Sequence, residues 1–198
     1  MKKNPRNTKS RIVSAAWKLF YEQGYENTTI EDIIEESETS KGSFYHYFDS
    51  KDALLGSLSL VFDEKYEQFI PTLDPDMDSF DKLMSVNQVL FGVIDDSIPL
   101  DLITQLYASL LTTKSDKPLL DHNRTYYRLL HRIILEGQRR GQLTTSMTVN
   151  EISKLYALCE RALIYDWCLC KGEYSLKSYS RQTLPLMLGY LRTTKDEK

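Results

Sequence analysis

The chain has 198 residues, of which 41% are hydrophobic and 27% are charged, as in an ordinary globular domain. No apolar run approaches the roughly 18–20 residues that a bilayer-spanning helix needs, and no apolar stretch follows the basic N-terminus to make it a secretory signal. A formal net charge of −3 argues against a generic nucleic-acid binder, and three cysteines cannot form a disulfide framework. We therefore expect a cytoplasmic protein with no membrane partner.

Helix dominates the sequence, since no segment shows a sustained alternation of apolar and polar residues. Apolar residues recur with helical spacing between residues 8 and 23, and Gly24 ends this first helix. A second short helix follows a pair of threonines, Thr28 and Thr29, one of which begins a capping box. A third short helix follows a brief break, and a fourth is expected over residues 51–70.

Longer helices are expected in the rest of the chain, over residues 79–96, 99–114, 118–140, 150–171 and 178–193. Thr148 and Glu151 can form a capping box at the start of the fourth of these helices. Pro185 is expected to kink or shorten the last helix, because its ring removes a helical hydrogen bond.

These elements predict an all-α fold of about nine helices in two parts. Residues 1–55 would form a three-helix unit of the helix-turn-helix type, since a tight turn separates its second and third helices. The fourth helix, residues 51–70, would link this unit to a larger helical domain over residues 71–198. The last helix of a helix-turn-helix meets DNA in the major groove. A purely structural three-helix unit is the alternative at this point.

The stretch "SKGSFYHYF", residues 40–48, contains the predicted third helix. Phe44 and Phe48 lie one turn apart and are expected to pack inward. The side chains expected on the outer face are those of Lys41, Ser43, Tyr45 and His46. Gly42 has no side chain, so the backbone can approach a phosphate or a base there.

A longer segment, "TTIEDIIEESETSKGSFYHYFDSKDALL" at residues 28–55, closely resembles the DNA-binding domain of TetR-type transcriptional regulators. The resemblance covers about residues 8–60, and its motifs are joined at fixed spacing. It implies a sequence-specific DNA-binding regulator, in the favoured form a ligand-released homodimeric repressor. A helical adaptor or an activator of the same fold, with weak or no DNA binding, is the alternative.

The resemblance also implies which residues contact double-stranded DNA: Thr28, Thr29, Lys41, Gly42, Ser43, Tyr45, His46 and Lys51. Thr28 or Thr29 would contact a phosphate at the N-terminus of the second helix, where exposed N–H groups favour an anion. Lys41, Ser43 and Tyr45 are the candidates for reading bases. Further basic residues could extend the footprint along the backbone: Lys2, Lys3, Arg6 and Lys9.

Two features depart from the family pattern. Glu38 stands in the turn between the second and third helices, where glycine is usual. If this residue has a positive φ, a side chain there costs about 1 kcal/mol. The second helix and the turn are also acidic, with Glu31, Asp32, Glu35, Glu36 and Glu38. We expect weak non-specific DNA affinity and a steep salt dependence.

A homodimer is expected, because two recognition helices related by a two-fold axis read a palindromic operator. The last two helices would form the dimer surface with Leu155, Leu158, Ala162, Tyr165, Leu184, Met187, Leu188 and Leu191. The alternative is that these apolar stripes close the core of a single chain.

A small-molecule effector is expected to bind among the central helices. Aromatic residues and a few polar groups are typical of such a pocket, and the candidates are Tyr107, Tyr126, Tyr127, His131, Arg161, Tyr165 and Trp167. Each of these residues, taken singly, also fits an ordinary core or interface position. No nucleophile–base pair, phosphate-binding loop or metal-ligand spacing is present. We therefore predict no enzyme, no catalytic residue, no metal and no cofactor.

Overall fold

A computed structural model describes residues 5–112 and 117–193, with side chains from Thr8 onward. The helices are α1 (Pro5–Gln23), α2 (Ile30–Glu36), α3 (Lys41–Tyr47), α4 (Lys51–Leu55), α5 (Leu58–Phe69), α6 (Ser79–Ser97), α7 (Leu100–Thr112), α8 (Thr125–Arg139), α9 (Val149–Leu169) and α10 (Leu176–Leu188). Three short 3₁₀ helices span Ile70–Thr72, Pro118–Leu120 and Gly189–Leu191. This part of the chain contains no β-strand, so the all-α prediction is confirmed.

The predicted fourth helix is two helices, α4 and α5, which is why the described chain has ten α-helices. The break falls at Gly56 and Ser57. Ser57 donates its hydroxyl to the carbonyl oxygen of Leu54 at 2.6 Å and accepts a hydrogen bond from Trp17 Nε1 at 2.7 Å. A serine hydroxyl that satisfies the last carbonyls of a helix competes with helix continuation, and glycine weakens the helix at the same point.

Packing divides the described chain into two compact units. The first takes in the residues up to Ser59 together with residues 99–120, and the second takes in residues 60–98 and those from Asp121 onward. Helix α7 therefore packs with the N-terminal helices, whereas the predicted boundary near residue 70 left it in the second part. The contacts are direct, since Gln105 Nε2 donates to Glu26 Oε1 at 2.5 Å. The functional division of the two parts stays a prediction.

The core of the first unit is built from aromatic and aliphatic side chains of α1, α2 and α3. Phe44 and Phe48 are buried as predicted, with ring centroids 5.9 Å apart. Phe20 of α1 and Ile33 of α2 are buried in the same unit. The short helix α3 is thus anchored by one face, which leaves the other face to solvent.

The second unit is a bundle in which α6, α8, α9 and α10 pack on one another. Gly137 lets α8 approach its neighbours closely, because a Cβ at this position would lie 2.6 Å from Leu143 Cδ1 and 2.7 Å from Ser79 Cβ. The ammonium of Lys82 is buried in this unit and donates to Glu136 at 2.9 Å and to the carbonyl of Pro75 at 2.8 Å. No helix in the described part of the chain combines the length and the apolar character needed to cross a bilayer.

The predicted dimer surface on the last helix is partly wrong. Leu184, Leu188 and Leu191 are fully buried in the second unit, whereas Met187 is exposed. The alternative interpretation, a stripe that closes the core of one chain, therefore holds for these three leucines. Pro185 lies inside α10, and the helix continues to Leu188 before it tightens into a 3₁₀ turn.

Candidate nucleic-acid interface

Helix α3 begins at a defined N-cap. The hydroxyl of Ser40 accepts a hydrogen bond from the backbone N–H of Ser43 at 3.1 Å, and the two hydroxyls lie 2.9 Å apart. Such a cap satisfies one of the free N–H groups at the start of a helix. The cap and the buried Phe44 together hold α3 in place with its first turn at the surface.

The outer face of α3 carries the predicted DNA-contact residues. Lys41, Gly42, Tyr45 and His46 are exposed, and Ser43 is half-buried. An open concavity of about 640 Å³ runs along this face, lined by Thr8, Glu38, Thr39, Ser40, Gly42, Ser43, His46 and Tyr47. A Cβ at Gly42 would meet only Ser40 Oγ, at 4.0 Å. Packing within the described chain therefore does not require glycine at this position, and a close approach of DNA there stays a prediction.

The two threonines before α2 have different environments. Thr29 is exposed and forms a capping box with Asp32. The Thr29 hydroxyl accepts a hydrogen bond from the N–H of Asp32 at 3.1 Å, and the Asp32 carboxylate accepts one from the N–H of Thr29 at 2.8 Å. The backbone N–H of Thr29 holds the pKa of Asp32 below its usual range. Thr28 is buried and donates its hydroxyl to the carbonyl of Gly24 at 2.8 Å. Only Thr29 therefore presents its side chain at the surface.

Lys51, a predicted phosphate contact, is engaged within the protein. Its ammonium donates to the carbonyls of Tyr25 and Thr28 at 2.7 and 2.8 Å and lies 4.1 Å from the centroid of the Tyr25 ring. These contacts tie the start of α4 to the loop between α1 and α2. Two of the three ammonium donors are used in this way, and a phosphate contact by Lys51 stays a prediction.

Three of the five acidic side chains of α2 and its turn have basic partners on neighbouring helices. The pairs are Glu31 with Lys41 at 3.2 Å, Glu36 with Lys18 at 2.8 Å, and Glu38 with Arg11 at 3.3 Å. A hydrogen bond from Lys41 lowers the pKa of Glu31. These bases, from α1 and α3, offset part of the negative charge of α2 and its turn.

The N-terminal basic residues are only partly described. Lys2, Lys3 and the side chain of Arg6 lie outside the described residues. Lys9 is exposed on α1, with its ammonium 5.7 Å from the centroid of the Phe48 ring. Its position beside α3 agrees with the predicted extension of the footprint, which stays a prediction.

The predicted effector-binding residues belong to both compact units and differ in their burial. Tyr126, Tyr127 and Trp167 are buried in the second unit. Tyr165 is exposed on α9, and Tyr107 lies on α7 in the first unit. The remaining two, His131 and Arg161, are half-buried in the second unit. A shared pocket for all seven therefore stays a prediction.

A buried polar cluster in the second unit was missed by the sequence reasoning. The carboxyl group of Glu160 on α9 accepts hydrogen bonds from Tyr126 Oη of α8 at 2.6 Å and from Asn87 Nδ2 of α6 at 2.9 Å. Burial raises the pKa of Glu160. A signal was present, because Glu160 follows buried Tyr156 by four residues and precedes buried Ile164 by four, on the apolar face of its helix.

Comparison with known proteins identifies the family of the chain. The family model described as "Bacterial regulatory proteins, tetR family" matches residues 12–58, and the model described as "YsiA-like protein, C-terminal region" matches residues 62–189, more than half of the chain. A Lactococcus lactis protein, described as an uncharacterized HTH-type transcriptional regulator, is 54% identical over 48 residues, which are 24% of each chain.

Two relatives extend over most of the chain. The "Fatty acid metabolism regulator protein" of Bacillus subtilis is 24% identical over 183 residues, which cover 90% of this chain and 93% of the relative. The structure of Thermus thermophilus FadR, a repressor in complex with lauroyl-CoA, has a TM-score of 0.75 at 18% identity and covers 96% of this chain and 98% of its own. At that identity the likeness shows the shared fold. The chain therefore belongs to the tetR family of bacterial regulatory proteins and is a transcriptional regulator, not an enzyme.

Proposed function

We propose that the protein is a cytoplasmic, homodimeric repressor that binds a palindromic operator through α3 and releases it when a fatty acyl-coenzyme A binds the second unit. The observation that carries the DNA-binding part is the exposed outer face of α3, with Lys41, Tyr45 and His46 on a helix anchored by buried Phe44. Lys41 and Tyr45 would reach base edges, and Thr29 would contact a phosphate at the start of α2.

Enrichment of bound duplexes from a random-sequence library tests this proposal. The wild-type protein should enrich a two-fold symmetric site at low salt, and enrichment no higher than background would overturn the proposal. Lys41→Ala combined with Tyr45→Ala should abolish enrichment without lowering the thermal midpoint. Tyr21→Ala is a matched control, because Tyr21 on α1 is 51% exposed and Tyr45 is 46% exposed. If only the control lost enrichment, the DNA-binding face would be on α1.

The homodimer is supported by an apolar surface on the last two helices. Large exposed apolar or aromatic side chains on α9, on α10 and on the 3₁₀ helix that follows are those of Leu158, Tyr165, Leu169, Tyr179, Leu186, Met187 and Tyr190. Soluble monomers rarely leave such a patch uncovered. A second copy is the natural occupant, because one short recognition helix reads only a few base pairs and a two-fold pair reads a palindrome.

Sedimentation equilibrium decides the oligomeric state. The wild-type protein should be a dimer at micromolar concentration, and Leu158→Glu with Leu186→Glu should yield a folded monomer. Leu60→Glu is the control, because Leu60 is 67% exposed, comparable to the 55% of Leu158, and lies on α5. A wild-type monomer would contradict the dimer, and a dimer that survives the double change would place the interface elsewhere.

The effector class is proposed from the relatives and from the interior of the second unit. Tyr126, Tyr127 and Trp167 form part of a buried aromatic interior suited to an acyl chain. His131 Nε2 is buried and has no hydrogen-bond partner among the described residues. An unpaired buried nitrogen is costly, so a polar group of the effector that pairs with it would add affinity and orientation.

Titration with lauroyl-CoA tests the effector. A ligand present at about 100 times its Kd stabilises the folded state by about 2.7 kcal/mol, so the thermal midpoint should rise clearly. The same ligand should release the protein from its enriched duplex, whereas free coenzyme A should not. His131→Ala should weaken lauroyl-CoA binding and leave DNA binding unchanged. Stabilisation without release would contradict the repressor mechanism.

A further inference from the structure

The turn between α2 and α3 contains a glutamate in a conformation that favours glycine. Glu38 has φ 47°, which confirms the positive φ considered from the sequence. The backbone N–H of Glu38 donates to the carbonyl oxygen of Glu35 at 3.0 Å, and the N–H of Thr39 donates to the carbonyl oxygen of Ile34 at 3.1 Å. These two bonds form a Schellman motif, whose left-handed position is usually glycine. The strain at Glu38 therefore needs a compensating contact.

Arg11 of α1 supplies that contact. Its Nη2 donates to the carbonyl of Ser37, to the carbonyl of Glu38 at 3.2 Å and to the carboxylate of Glu38 at 3.3 Å. The last carbonyls of a helix attract a cation, because they lack helical partners and carry the negative end of the helix dipole. The Glu38 carboxylate adds a second attachment for the same guanidinium.

The turn leads directly into the recognition helix. Ser40, two residues after Glu38, is the N-cap of α3. The hydroxyls of Ser37 and Thr39 lie 2.8 Å apart and brace the turn from within. Since α3 has only seven residues, a change in the direction of the chain at Glu38 would displace all of its outer side chains. Binding residues must be held to within about 0.5 Å by the residues that support them.

We propose that Arg11 is a positioning residue for DNA binding, which holds Glu38 in the left-handed conformation and so sets the direction in which the chain enters α3. The inference rests on the proposed DNA-binding function. It also explains why this chain accommodates glutamate where glycine is usual. An ion pair and two carbonyl contacts replace the conformational freedom of glycine, and a glycine at position 38 should make Arg11 dispensable.

Fluorescence anisotropy with the duplex enriched by the wild-type protein tests the inference, with a random-sequence duplex of equal length as reference. Arg11→Met should weaken binding to the enriched duplex by about tenfold, as expected for the loss of hydrogen bonds to a charged group. Arg11→Lys should bind the enriched duplex with an affinity between that of the wild-type protein and that of Arg11→Met. Adding Glu38→Gly to Arg11→Met should restore most of the affinity, because glycine adopts the positive φ without strain.

Two control variants separate positioning from charge. Glu38→Gln in the Arg11→Met background removes the same charge as Glu38→Gly but keeps a side chain at the left-handed position, so it should not restore binding. Lys18 is another base of α1, and its ammonium binds the Glu36 carboxylate at 2.8 Å. Lys18→Met removes this positive charge and should leave the affinity for the enriched duplex nearly unchanged. Equal recovery with glutamine and glycine, or full affinity in Arg11→Met, would overturn the inference.

Amide hydrogen exchange provides a readout that needs no DNA. The N–H of Thr39, bonded to Ile34, should exchange about tenfold faster in Arg11→Met and return to its wild-type rate when Glu38→Gly is added. If the wild-type protein enriches no duplex, the proposed function fails, but the exchange rate still decides whether Arg11 holds the turn. Unchanged exchange in Arg11→Met would refute the role of Arg11.

Discussion

The two compact units place their charged side chains differently. In the first unit, the pair between α2 and α3 lies at the surface, where Glu31 is 69% and Lys41 is 66% exposed. In the second unit, the side chains of Lys82 and Arg124 are only 5% and 9% exposed. An exposed pair exchanges readily for solvent or for a phosphate, whereas a buried charge must keep its partners. The exposed pair of Glu31 and Lys41 can therefore exchange its partners, whereas the contacts of Lys82 and Arg124 hold helices of the second unit together.

The buried groups of the second unit each connect different helices. Arg124 binds Asp63 through two nitrogens, at 3.2 and 2.9 Å, and so joins the start of α8 to α5. Lys82 of α6 binds Glu136 of α8. Glu160 joins three helices through its two hydrogen bonds. Apolar contacts tolerate rotation of one helix against another, but these directional contacts do not, so they select one arrangement of the bundle.

The largest effect on stability is expected at Glu160. Glu160→Ala would leave the Tyr126 hydroxyl and the Asn87 amide buried without their acceptor, at a cost of about 3 kcal/mol in the free energy of unfolding. Urea unfolding followed by circular dichroism measures the loss. Glu64→Ala, an exposed acid on α5, should change the free energy by less than about 0.5 kcal/mol. Similar losses for both would contradict the contrast between exposed and buried polar groups.

A smaller loss is expected at Gly137 of α8, where the neighbouring atoms leave no room for a Cβ. Gly137→Ala places a Cβ against Leu143 and Ser79, and we expect a loss of about 1–2 kcal/mol after the better helix propensity of alanine is counted. Gly189→Ala is the control, since a Cβ there meets nothing within 4 Å. The thermal midpoint of Gly189→Ala should equal or exceed that of the wild-type protein. A higher midpoint for Gly137→Ala would show that the neighbouring side chains and helices move to make room for the Cβ.

The pH dependence of the free energy of unfolding tests the burial of Glu160. Burial raises the pKa of Glu160, so the folded protein keeps this proton at pH values where the unfolded chain has lost it. Its favourable contribution is complete below the ordinary glutamate pKa of about 4.3 and is lost as pH rises through the folded value. Glu160→Gln cannot ionise, so its stability relative to wild type should rise with pH. A difference in stability that does not change as pH rises above the ordinary glutamate pKa of about 4.3 would contradict this expectation.

The opposite sign is expected at Glu136. A hydrogen bond from Lys82 lowers the pKa of this carboxyl. The stability it contributes is present above the ordinary glutamate pKa and is lost as pH falls through the folded value. Comparing Glu136→Gln with Glu160→Gln in the same pH series therefore separates the two buried arrangements by the direction of their slopes.

The smallest effect is expected at the surface pair of the first unit. Glu31→Gln should leave the thermal midpoint unchanged, because both partners are largely exposed. It should raise the affinity for a random-sequence duplex by about threefold, since it frees Lys41 and removes a negative charge near the phosphates. Glu35→Gln removes the same charge from α2 and should have less effect. In a Lys41→Ala background the two changes should become equal, and a persistent difference would show that Glu31 acts without Lys41.

Much of the first unit was predictable because its signals are local. Phe44 and Phe48 recur at helical spacing, and both are buried. The capping box at Thr29 requires only residues three apart, and so does the one at Thr148, which is also present. Such signals depend on backbone geometry that a short segment adopts by itself, which is why sequence spacing sufficed.

Other features depended on partners distant in sequence. The break between α4 and α5 is set in part by Trp17, which binds the hydroxyl of Ser57 forty residues away. Leu184 was expected at an interface, but apolar spacing does not say whether a face meets a partner chain or the core of the same chain. The burial of Glu160 was likewise missed, because its hydrogen-bond donors, Tyr126 and Asn87, lie on two other helices.

The sequence by itself determined the all-α class, the family and the order of the three N-terminal helices, because helix periodicity, caps and the motif of residues 28–55 are encoded locally. Only the tertiary structure decided how the acidic turn is tolerated. Arg11 reaches Glu38 from another helix, and a contact between residues 27 apart in sequence leaves no periodic trace in the chain. By our proposal, this long-range polar contact sets the direction in which the chain enters α3.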